Sequence, residues 1–326
     1  MKAVVCREYG PPEVLSIVDI DDPTPKDDEV LVQARATTVT AGDCRVRSLT
    51  MPAGMGFIAR LALGFTKPRQ PILGSELSGV VTAVGMNVRK FKVGDEVFVF
   101  TGIKLGCHAE FKCVSESGGV SMKPASLSFE EAASMATGGT TALAFLKKAN
   151  LKIGDRVAIV GASGSVGSAA VQLAKHFGAH VTGVSSAANL AMVKAMGADE
   201  VVDYAEEDFT RMGQRYDVIL DAVGAGTMAR YLSALNADGR LLLVSSGMSD
   251  ALRAPWVSLT SKKKVVAGPA AWNPKDLEFL AELASTGEFK PIVDRLFKLD
   301  QIHEAHRYVD SGRKRGNVVI QWLTHA

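Results

Sequence analysis

The sequence predicts an α/β protein in which a β-rich first third precedes a parallel sheet that helices cover on both faces. Two observations support this fold class. Short β-branched runs separated by turn residues fill the first third, and strands alternate with helices from residue 126 to residue 266. The chain has 326 residues, more than one core holds, so we expect two domains. We place the first at 1–125 together with 267–326 and the second at 126–266.

The strands of the β-rich third are short. We predict them at Ala3–Cys6, Val30–Thr37, Gly79–Val84 and Val97–Phe100, with turn residues such as Gly10-Pro11-Pro12 between them. Short strands without long helices between them indicate a small barrel or sandwich.

The alternating part begins with a helix that Ser128 caps and that runs through Lys148. Strands follow at Arg156–Val160, His180–Val184, Glu200–Val202, Val218–Leu220 and Leu241–Val244, with helices at Ser165–Phe177 and Leu190–Met196. Such alternation builds a parallel sheet, which binds ligands at the carboxyl ends of its strands. The tail adds a helix at Pro274–Thr286 and a strand at Asn317–Leu323, which we expect to fold back against the first domain.

Composition and charge exclude several classes of protein. A net charge of +2 with 47% hydrophobic residues is typical of a globular protein and gives no basic footprint for nucleic acid. No uncharged apolar run reaches the ~18 residues that a membrane span needs, and the N-terminus has no signal-peptide core. The four cysteines lack Cys-x-x-Cys spacing, which favours reduced thiols. We therefore expect a cytoplasmic protein with no nucleic-acid partner and no membrane span.

The strongest motif is a glycine loop with the pattern G-x-x-G-x-x-G at Gly161, Gly164 and Gly167. An apolar strand enters the loop and a helix leaves it, so the helix N-terminus faces whatever the loop binds. Small residues there allow a pyrophosphate to approach the backbone, and the free N–H groups of the helix face its charge. The motif predicts dinucleotide binding; the alternative is an ordinary tight turn between strand and helix.

The end of the next strand bears on the choice between the two nicotinamide cofactors. Enzymes that use NAD usually have Asp or Glu there, which accepts from the ribose 2′-hydroxyl. This chain has Ser185, Ser186 and, three residues later, Asn189, so no acid repels a 2′-phosphate. The loop has no Arg or Lys either, and Lys194 lies further along the helix. The sequence thus favours NADPH, with NADH possible.

Several blocks together resemble the medium-chain dehydrogenase/reductase family over essentially the whole chain. Besides the glycine loop, these blocks are Pro71–Gly79, Lys92–Val97, Gly138–Thr141, Ala170–Lys175, Met196–Tyr204 and Arg315–Ile320. The sequence is most similar to the zinc-free quinone oxidoreductase and enone reductase branch. The resemblance implies a GroES-like β-rich catalytic domain, a Rossmann cofactor domain with a doubly wound parallel sheet, and a homodimer.

Zinc ligands are missing where the resemblance would place them. The zinc enzymes of the family carry Cys at the position of Thr40 and His at the position of Ser75, and neutral hydroxyls are poor zinc ligands. The structural zinc lobe with four cysteines is also missing. His303 and His306 lie three residues apart and are expected on a solvated helix face. We therefore predict no zinc.

The resemblance also assigns cofactor-binding positions. Ser163, Ser165 and Val166 join the three glycines in the pyrophosphate loop, and Tyr204 joins Ser185, Ser186 and Asn189 around the 2′-phosphate. The positions near nicotinamide are Thr141, Ser245, Ser246, Gly247 and Asn317, and Val223 is a further cofactor-binding position. The alternative for each serine is a helix cap or a turn.

Catalysis in such an enzyme requires that the two reacting carbons are held together and that the carbonyl oxygen is stabilised. Arg45 aligns with a basic residue of similar enone reductases. We propose that Arg45 donates to the substrate carbonyl or to a cofactor ribose and that Asp43 orients it. The alternative is a structural Asp–Arg pair. The resemblance implies solvent as the source of the proton.

The predicted activity is zinc-independent, NAD(P)H-dependent hydride transfer to a quinone or an α,β-unsaturated carbonyl compound. The apolar, loop-like segment 51–71 suits a lid over a small apolar substrate, with a dimer contact and core packing as alternatives. Two other functions stay open: an NADPH-binding protein with a structural or sensing role and little turnover, and a zinc-free alcohol dehydrogenase.

Overall fold

The computed structural model describes residues 1–269 and 271–322, so Leu323 of the predicted closing strand lies outside the described residues. The chain divides into two compact units. Unit 1 comprises Met1–Met51, Gly56–Thr137 and the residues from Asn273 onward, and unit 2 comprises Pro52–Met55 and Gly138–Trp272. The predicted boundaries at 125/126 and 266/267 both lie earlier in the chain than the two main boundaries of the structure.

The β-strands of the two units are numbered in chain order. They are β1 (Lys2–Cys6), β2 (Leu15–Asp19), β3 (Glu29–Val39), β4 (Glu76–Val84), β5 (Glu96–Phe100), β6 (Phe111–Ser115), β7 (Val120–Met122), β8 (Arg156–Val160), β9 (His180–Ser185), β10 (Glu200–Asp203), β11 (Tyr216–Asp221), β12 (Leu235–Leu243), β13 (Lys264–Ala267), β14 (Val293–Lys298) and β15 (Asn317–Gln321).

The α-helices are numbered in the same way. They are α1 (Ala41–Ser48), α2 (Gly56–Leu63), α3 (Phe129–Ala133), α4 (Ala136–Ala149), α5 (Ser165–His176), α6 (Leu190–Ala195), α7 (Met228–Ala234), α8 (Met248–Thr260), α9 (Pro274–Thr286) and α10 (Ile302–Asp310).

Unit 2 is built on a six-stranded sheet with the order β10-β9-β8-β11-β12-β13. All of its neighbouring strands are parallel. The central strands are apolar runs because both faces of a parallel sheet are covered, and Val157, Ala158 and Ile159 are fully buried. The strand order reverses between β8 and β11, which is the switch point of a doubly wound sheet. The predicted Rossmann-type fold class is confirmed.

Unit 1 is β-rich, as predicted. Its larger sheet has seven strands in the order β14-β15-β3-β4-β5-β7, with β6 also paired to β3, and β1 and β2 form a separate antiparallel pair. The long strand β3 spans Glu29–Val39 and pairs antiparallel with β4, β6 and β15. Apolar side chains from β3 and β4, among them Val32 and Leu77, are fully buried in one cluster of the hydrophobic core.

The helix predicted from Ser128 through Lys148 is two helices. Ser128 does cap α3, in a capping box with Glu131. The chain then breaks before α4, and the backbone N–H of Thr137 donates to the Glu76 carboxylate at 2.6 Å. The first N–H groups of a helix have no partner within the helix, and Glu76 supplies one at the start of α4. A partner 61 residues away in the chain leaves no local signal at the break.

The segment 51–71 is not the plain loop that we expected, because it contains α2. Its apolar side chains Phe57, Ile58, Leu61 and Phe65 are exposed, between 47% and 67%. Core packing was therefore the wrong alternative for these side chains. The rings of Phe57 and Phe65 meet edge to face at 6.4 Å.

His306 is fully buried, so the prediction that His303 and His306 share a solvated helix face is wrong. The Nδ1 atom of His306 lies 3.4 Å from Sγ of Cys44, and Nε2 of His303 lies 2.9 Å from the carbonyl oxygen of Leu15. The spacing of the buried face explains the error. Ile302, Ala305, His306 and Val309 follow the i, i+3, i+4, i+7 pattern of an apolar helix face.

This burial predicts acid sensitivity. Burial, with help from nearby His108 and Arg47, holds the pKa of His306 well below its ordinary value. The unfolded chain therefore binds this proton first, and stability is lost as the pH falls below about 6.5, by up to ~1.4 kcal/mol per pH unit. Between pH 7.5 and pH 5.5, urea denaturation of the wild type should show a loss larger by about 1.4 kcal/mol than in His306→Asn, which cannot titrate there.

Cys44→Ala serves as the control, since it disturbs the same cluster but keeps the imidazole. It should be less stable at both pH values and retain the pH dependence of the wild type. Equal losses in the wild type and in His306→Asn would show that His306 does not cause the acid sensitivity.

Candidate functional site

The glycine loop of unit 2 turns sharply at the end of β8. Gly161 adopts a positive φ of 76°, and the N–H groups of Gly161 and Ala162 both donate to the carbonyl oxygen of Val184. A Cβ atom added to Gly167 would lie 2.0 Å from the carbonyl oxygen of Gly161. Only glycine permits this approach, which brings the start of α5 against the turn.

The N-terminus of α5 has the properties of an anion site. The helix starts after Gly164 without a side-chain cap and has no acid in its first turn. The Ser165 hydroxyl is buried without a hydrogen-bond partner among the described residues. Gly138 lies against this serine, since a Cβ atom there would be 2.6 Å from Ser165 Oγ. Free N–H groups, the positive end of the helix dipole and an unused hydroxyl together suit a phosphate group.

A connected polar network follows at the end of β9. The hydroxyl of Ser185 donates to that of Ser163 at 2.8 Å, and the side-chain amide of Asn189 donates to Ser163 at 3.2 Å and to Ser186 at 3.1 Å. Four of the predicted residues therefore come together. The backbone N–H of Tyr204 donates to the carbonyl oxygen of Ser185, and the Tyr204 ring is 65% exposed.

Lys194, which lies further along the helix after this loop, is engaged elsewhere. Its ammonium group donates to the backbone carbonyl of Asp199. The polar groups of the loop itself are therefore hydroxyls and one amide.

The ends of two further strands follow outward from the glycine loop. Val223, after β11, fills the space that a Cβ atom of Gly161 would occupy, and it is 53% exposed. Gly224 lies against the carbonyl oxygen of Ser245, after β12. Val223 and Ser245 are predicted site residues; Val223 lies against the glycine loop, and Ser245 lies against the loop that contains Val223 and Gly224. Ser246 and Gly247 continue the chain into α8, where Gly247 is the N-cap residue.

In unit 1, the predicted pair of Asp43 and Arg45 needs revision. Oδ2 of Asp43 accepts from the backbone and the hydroxyl of Thr40, and Oδ1 accepts from the backbone of Gly74 at 3.0 Å. Asp43 closes a capping box at the start of α1 and ties this helix to the chain before β4. Its role is that of an anchor, so the catalytic prediction rests on half-buried Arg45 alone.

A second buried carboxylate, Glu76, was missed by the sequence analysis. Its Oε1 atom accepts from the Thr38 hydroxyl at 2.6 Å and its Oε2 atom from the Thr137 backbone, while burial raises the pKa to about 7. The Ser75 hydroxyl lies 3.2 Å from that of Thr137. An acid at the start of the strand Glu76–Val84, which is otherwise free of charged residues, was the available signal. Asn317, a predicted site residue, is buried and donates to the carbonyl oxygen of Ile292.

Comparison with known proteins identifies the family. The model of the alcohol dehydrogenase GroES-like domain matches residues 26–142, and that of the zinc-binding dehydrogenases matches residues 196–320. A 2-methylene-furan-3-one reductase of Solanum lycopersicum is 32% identical over 98% of this chain and 79% of its own length. The chain belongs to the medium-chain dehydrogenase/reductase family.

Two other proteins are similar to this chain along nearly its whole length. A mitochondrial NAD(P)H oxidoreductase of Mus musculus is 31% identical over 98% of this chain and 89% of its own length. The structure of a quinone oxidoreductase from Coxiella burnetii superposes with a TM-score of 0.87 at 31% identity, covering 99% of each chain. The name of the mouse protein places it in mitochondria, so the cytoplasmic location stays a prediction here, as does the homodimer.

The residues of this medium-chain family member do not fit a catalytic zinc ion. The Thr40 hydroxyl, at the position of the family's Cys ligand, donates to Asp43 at 2.6 Å. The Ser75 hydroxyl, at the position of the His ligand, pairs with Thr137. Within residues 1–269 and 271–322, no group of three or more His, Cys, Asp or Glu side chains is arranged to hold a metal ion.

None of the helices in the described part of the chain has the length and apolar character needed to cross a lipid bilayer.

The close approach at Gly167 predicts the effect of one added methyl group. Gly167→Ala should destabilise unit 2 by at least ~3 kcal/mol, because its Cβ atom would overlap the backbone of Gly161. Gly164→Ala is the matched control. Its Cβ atom would be 3.5 Å from the nearest atom, so the cost should stay near the ~1 kcal/mol of an N-cap change. Thermal unfolding of both variants measures the difference, and equal stability would disprove the close approach.

Proposed function

We propose that this chain is an oxidoreductase that uses NAD(P)H to transfer a hydride to a quinone or an α,β-unsaturated carbonyl compound. The main support is the glycine loop at the switch point of the sheet, where the uncapped α5 N-terminus and the unpartnered Ser165 hydroxyl suit a pyrophosphate. The names of the relatives agree, since they include an enone reductase, an NAD(P)H oxidoreductase and a quinone oxidoreductase.

We infer a preference for NADPH from the network at the end of β9. The hydroxyls of Ser163 and Ser186 accept from Asn189 and each keep a hydrogen to donate, and this strand end has no carboxylate. A 2′-phosphate accepts hydrogen bonds and is repelled by acids, so neutral donors favour the phosphorylated cofactor. Tyr204, whose ring is exposed, is the fourth residue that we assign to the ribose 2′-phosphate.

The chemistry that we propose needs no metal ion. When bound, NADPH supplies the hydride. The chain holds the pyrophosphate through Gly161–Gly167, and we assign the nicotinamide end to Thr141, Val223, Ser245, Ser246, Gly247 and Asn317. Arg45 donates to the substrate carbonyl or to a cofactor ribose, which stabilises negative charge on oxygen. Solvent supplies the proton.

Absorbance at 340 nm tests this function. With NADPH and a chelator present, the wild type should oxidise the cofactor with a quinone and an alkenal but not with a saturated ketone. Arg45→Ala should lower kcat/KM by about 10-fold, as expected for one charge-assisted hydrogen bond of ~1.4 kcal/mol. Arg45→Lys, which keeps the charge, should lose less.

Each other result identifies an alternative. Tight NADPH binding without turnover of any acceptor would favour a binding protein. NADP reduction by an alcohol would favour a zinc-free alcohol dehydrogenase. Loss of activity with the chelator would contradict the zinc-free mechanism, and unchanged kcat/KM in Arg45→Ala would remove Arg45 from it.

A single substitution tests the cofactor preference. Ser186→Asp places a carboxylate at the end of β9, where it repels a 2′-phosphate and accepts from a ribose 2′-hydroxyl. The kcat/KM for NADPH should fall about 100-fold while that for NADH changes little, a differential effect of ~2.7 kcal/mol. Ser186→Asn has the same shape without the charge and should keep the preference. A wild type that prefers NADH, or an Asp variant that still prefers NADPH, would contradict the assignment.

A further inference from the structure

Asp221 is a buried carboxylate that the proposed function leaves unused. It is the last residue of β11 and is 1% exposed. No basic side chain of the described residues pairs with it. A buried acid without a cation must be stabilised by hydrogen-bond donors, and those donors show what it holds in place.

The donors come from one loop and from the helix that follows it. Oδ1 of Asp221 accepts from the backbone N–H groups of Val223 at 2.9 Å and Gly224 at 2.8 Å. Oδ2 accepts from the hydroxyl of Tyr231 at 2.9 Å and from the backbone of Gly226 at 3.4 Å. One carboxylate therefore fixes three backbone positions of the loop 222–226.

The loop 222–226 touches the loops that follow both neighbouring strands. Val223 covers Gly161, where a Cβ atom would lie 2.6 Å from Val223 Cγ1. Gly224, at a positive φ of 75°, lies so close to Ser245 that a Cβ atom would be 2.9 Å from its carbonyl oxygen. The three strand ends of β8, β11 and β12 are thus packed together through one loop.

The position of this loop is that of a ligand site. Strands β8 and β11 flank the point where the strand order reverses, and ligands of doubly wound sheets bind outside the carboxyl ends of the strands there. A shift of the loop would move Val223 from the glycine loop and Gly224 from the Ser245 loop at the same time.

We propose that Asp221 is a positioning residue for the nicotinamide cofactor, because its carboxylate holds the 222–226 loop against the glycine loop and the Ser245 loop. This inference rests on the proposed function. Because Asp221 is buried, we expect no contact between its side chain and the cofactor. Asp221 acts through Val223 and Gly224, and so it sets cofactor affinity rather than the rate of the chemical step.

Tyr231 supports the same arrangement. Its ring lies against Gly226, where a Cβ atom would be 2.4 Å from the ring, and its hydroxyl donates to Asp221. Burial and the neighbouring Asp221 charge raise the pKa of Tyr231, so the hydroxyl keeps its proton and donates throughout the neutral range.

Three variants test the proposal. Asp221→Asn presents an amide N–H group where the loop needs an acceptor, and Tyr231→Phe removes one donor to the carboxylate. Tyr216→Phe is the matched control, because Tyr216 is a buried tyrosine at the opposite end of β11 whose hydroxyl donates to Gln214. For each we would measure Tm, the NADPH Kd by fluorescence titration, and kcat and KM with the alkenal.

We expect Asp221→Asn to raise the Kd and KM for NADPH about 10-fold while kcat changes less than about 3-fold. Tyr231→Phe should raise both about 3-fold, and Tyr216→Phe should leave them unchanged even where it lowers Tm. If Asp221→Asn does not fold, the proposal is tested by Tyr231→Phe and Tyr216→Phe alone: the NADPH Kd should rise in the first variant and not in the second.

Two results would overturn the proposal alone: a folded Asp221→Asn with the wild-type Kd, or a rise of Kd in all three variants that follows their loss of Tm. The second would show a merely structural role. A wild type that binds neither NADPH nor NADH would overturn the proposed function, and this inference with it.

Discussion

The close contact between the first turn of α5 and the turn after β8 is the constraint on which unit 2 depends. The space between Gly167 and the carbonyl oxygen of Gly161 leaves no room for a side chain. This contact brings the N-terminus of α5 to the carboxyl ends of the parallel strands. On the other side of Gly161, the Val223 side chain fills the place that a Cβ atom would take. These two glycines leave the N-terminus of α5 without a side-chain cap, in a position that suits an anion.

Around this point the polar groups are organised by a few buried residues. The Ser163 hydroxyl accepts from both Ser185 and Asn189, which fixes the end of β9 relative to the glycine loop. Asp221 does the same for the loop after β11. In unit 1, Asp43 and Glu76 each connect segments that are far apart in the sequence. Buried carboxylates with several donors rigidify the backbone because leaving any donor unpaired is costly.

The parts of the fold that could be predicted are those with local signals. The apolar strand Arg156–Val160 and the glycine spacing after it indicated both the sheet and its ligand-binding edge. The polar residues at the end of β9 could also be predicted, because the sequence shows serines and an asparagine there and no Asp or Glu. Helix α9 was predicted with its observed bounds, Pro274–Thr286, since Pro at its start and Gly287 after it are strong boundary signals.

The parts that could not be predicted depend on distant contacts. The break before α4 depends on Glu76, and the burial of His306 depends on packing against Cys44, whose position lies 262 residues earlier. The role of Asp221 requires knowing that its loop packs between two others. Asp43 was predicted to orient Arg45, but its partners Thr40 and Gly74 make it an anchor. A sequence pattern shows which residues are polar and not which partners they find.

Deuterium transfer is the most direct test of the central claim that this chain moves a hydride from a nicotinamide cofactor to a conjugated acceptor. The measurement uses NADPH labelled with deuterium at C4, in one stereoisomer and then the other, with an alkenal as acceptor and mass spectrometry of the product. We predict that one of the two labelled cofactors gives a product with one deuterium on its electron-poor carbon. A reduced product without deuterium from either cofactor, or no reduced product at all, would contradict the account.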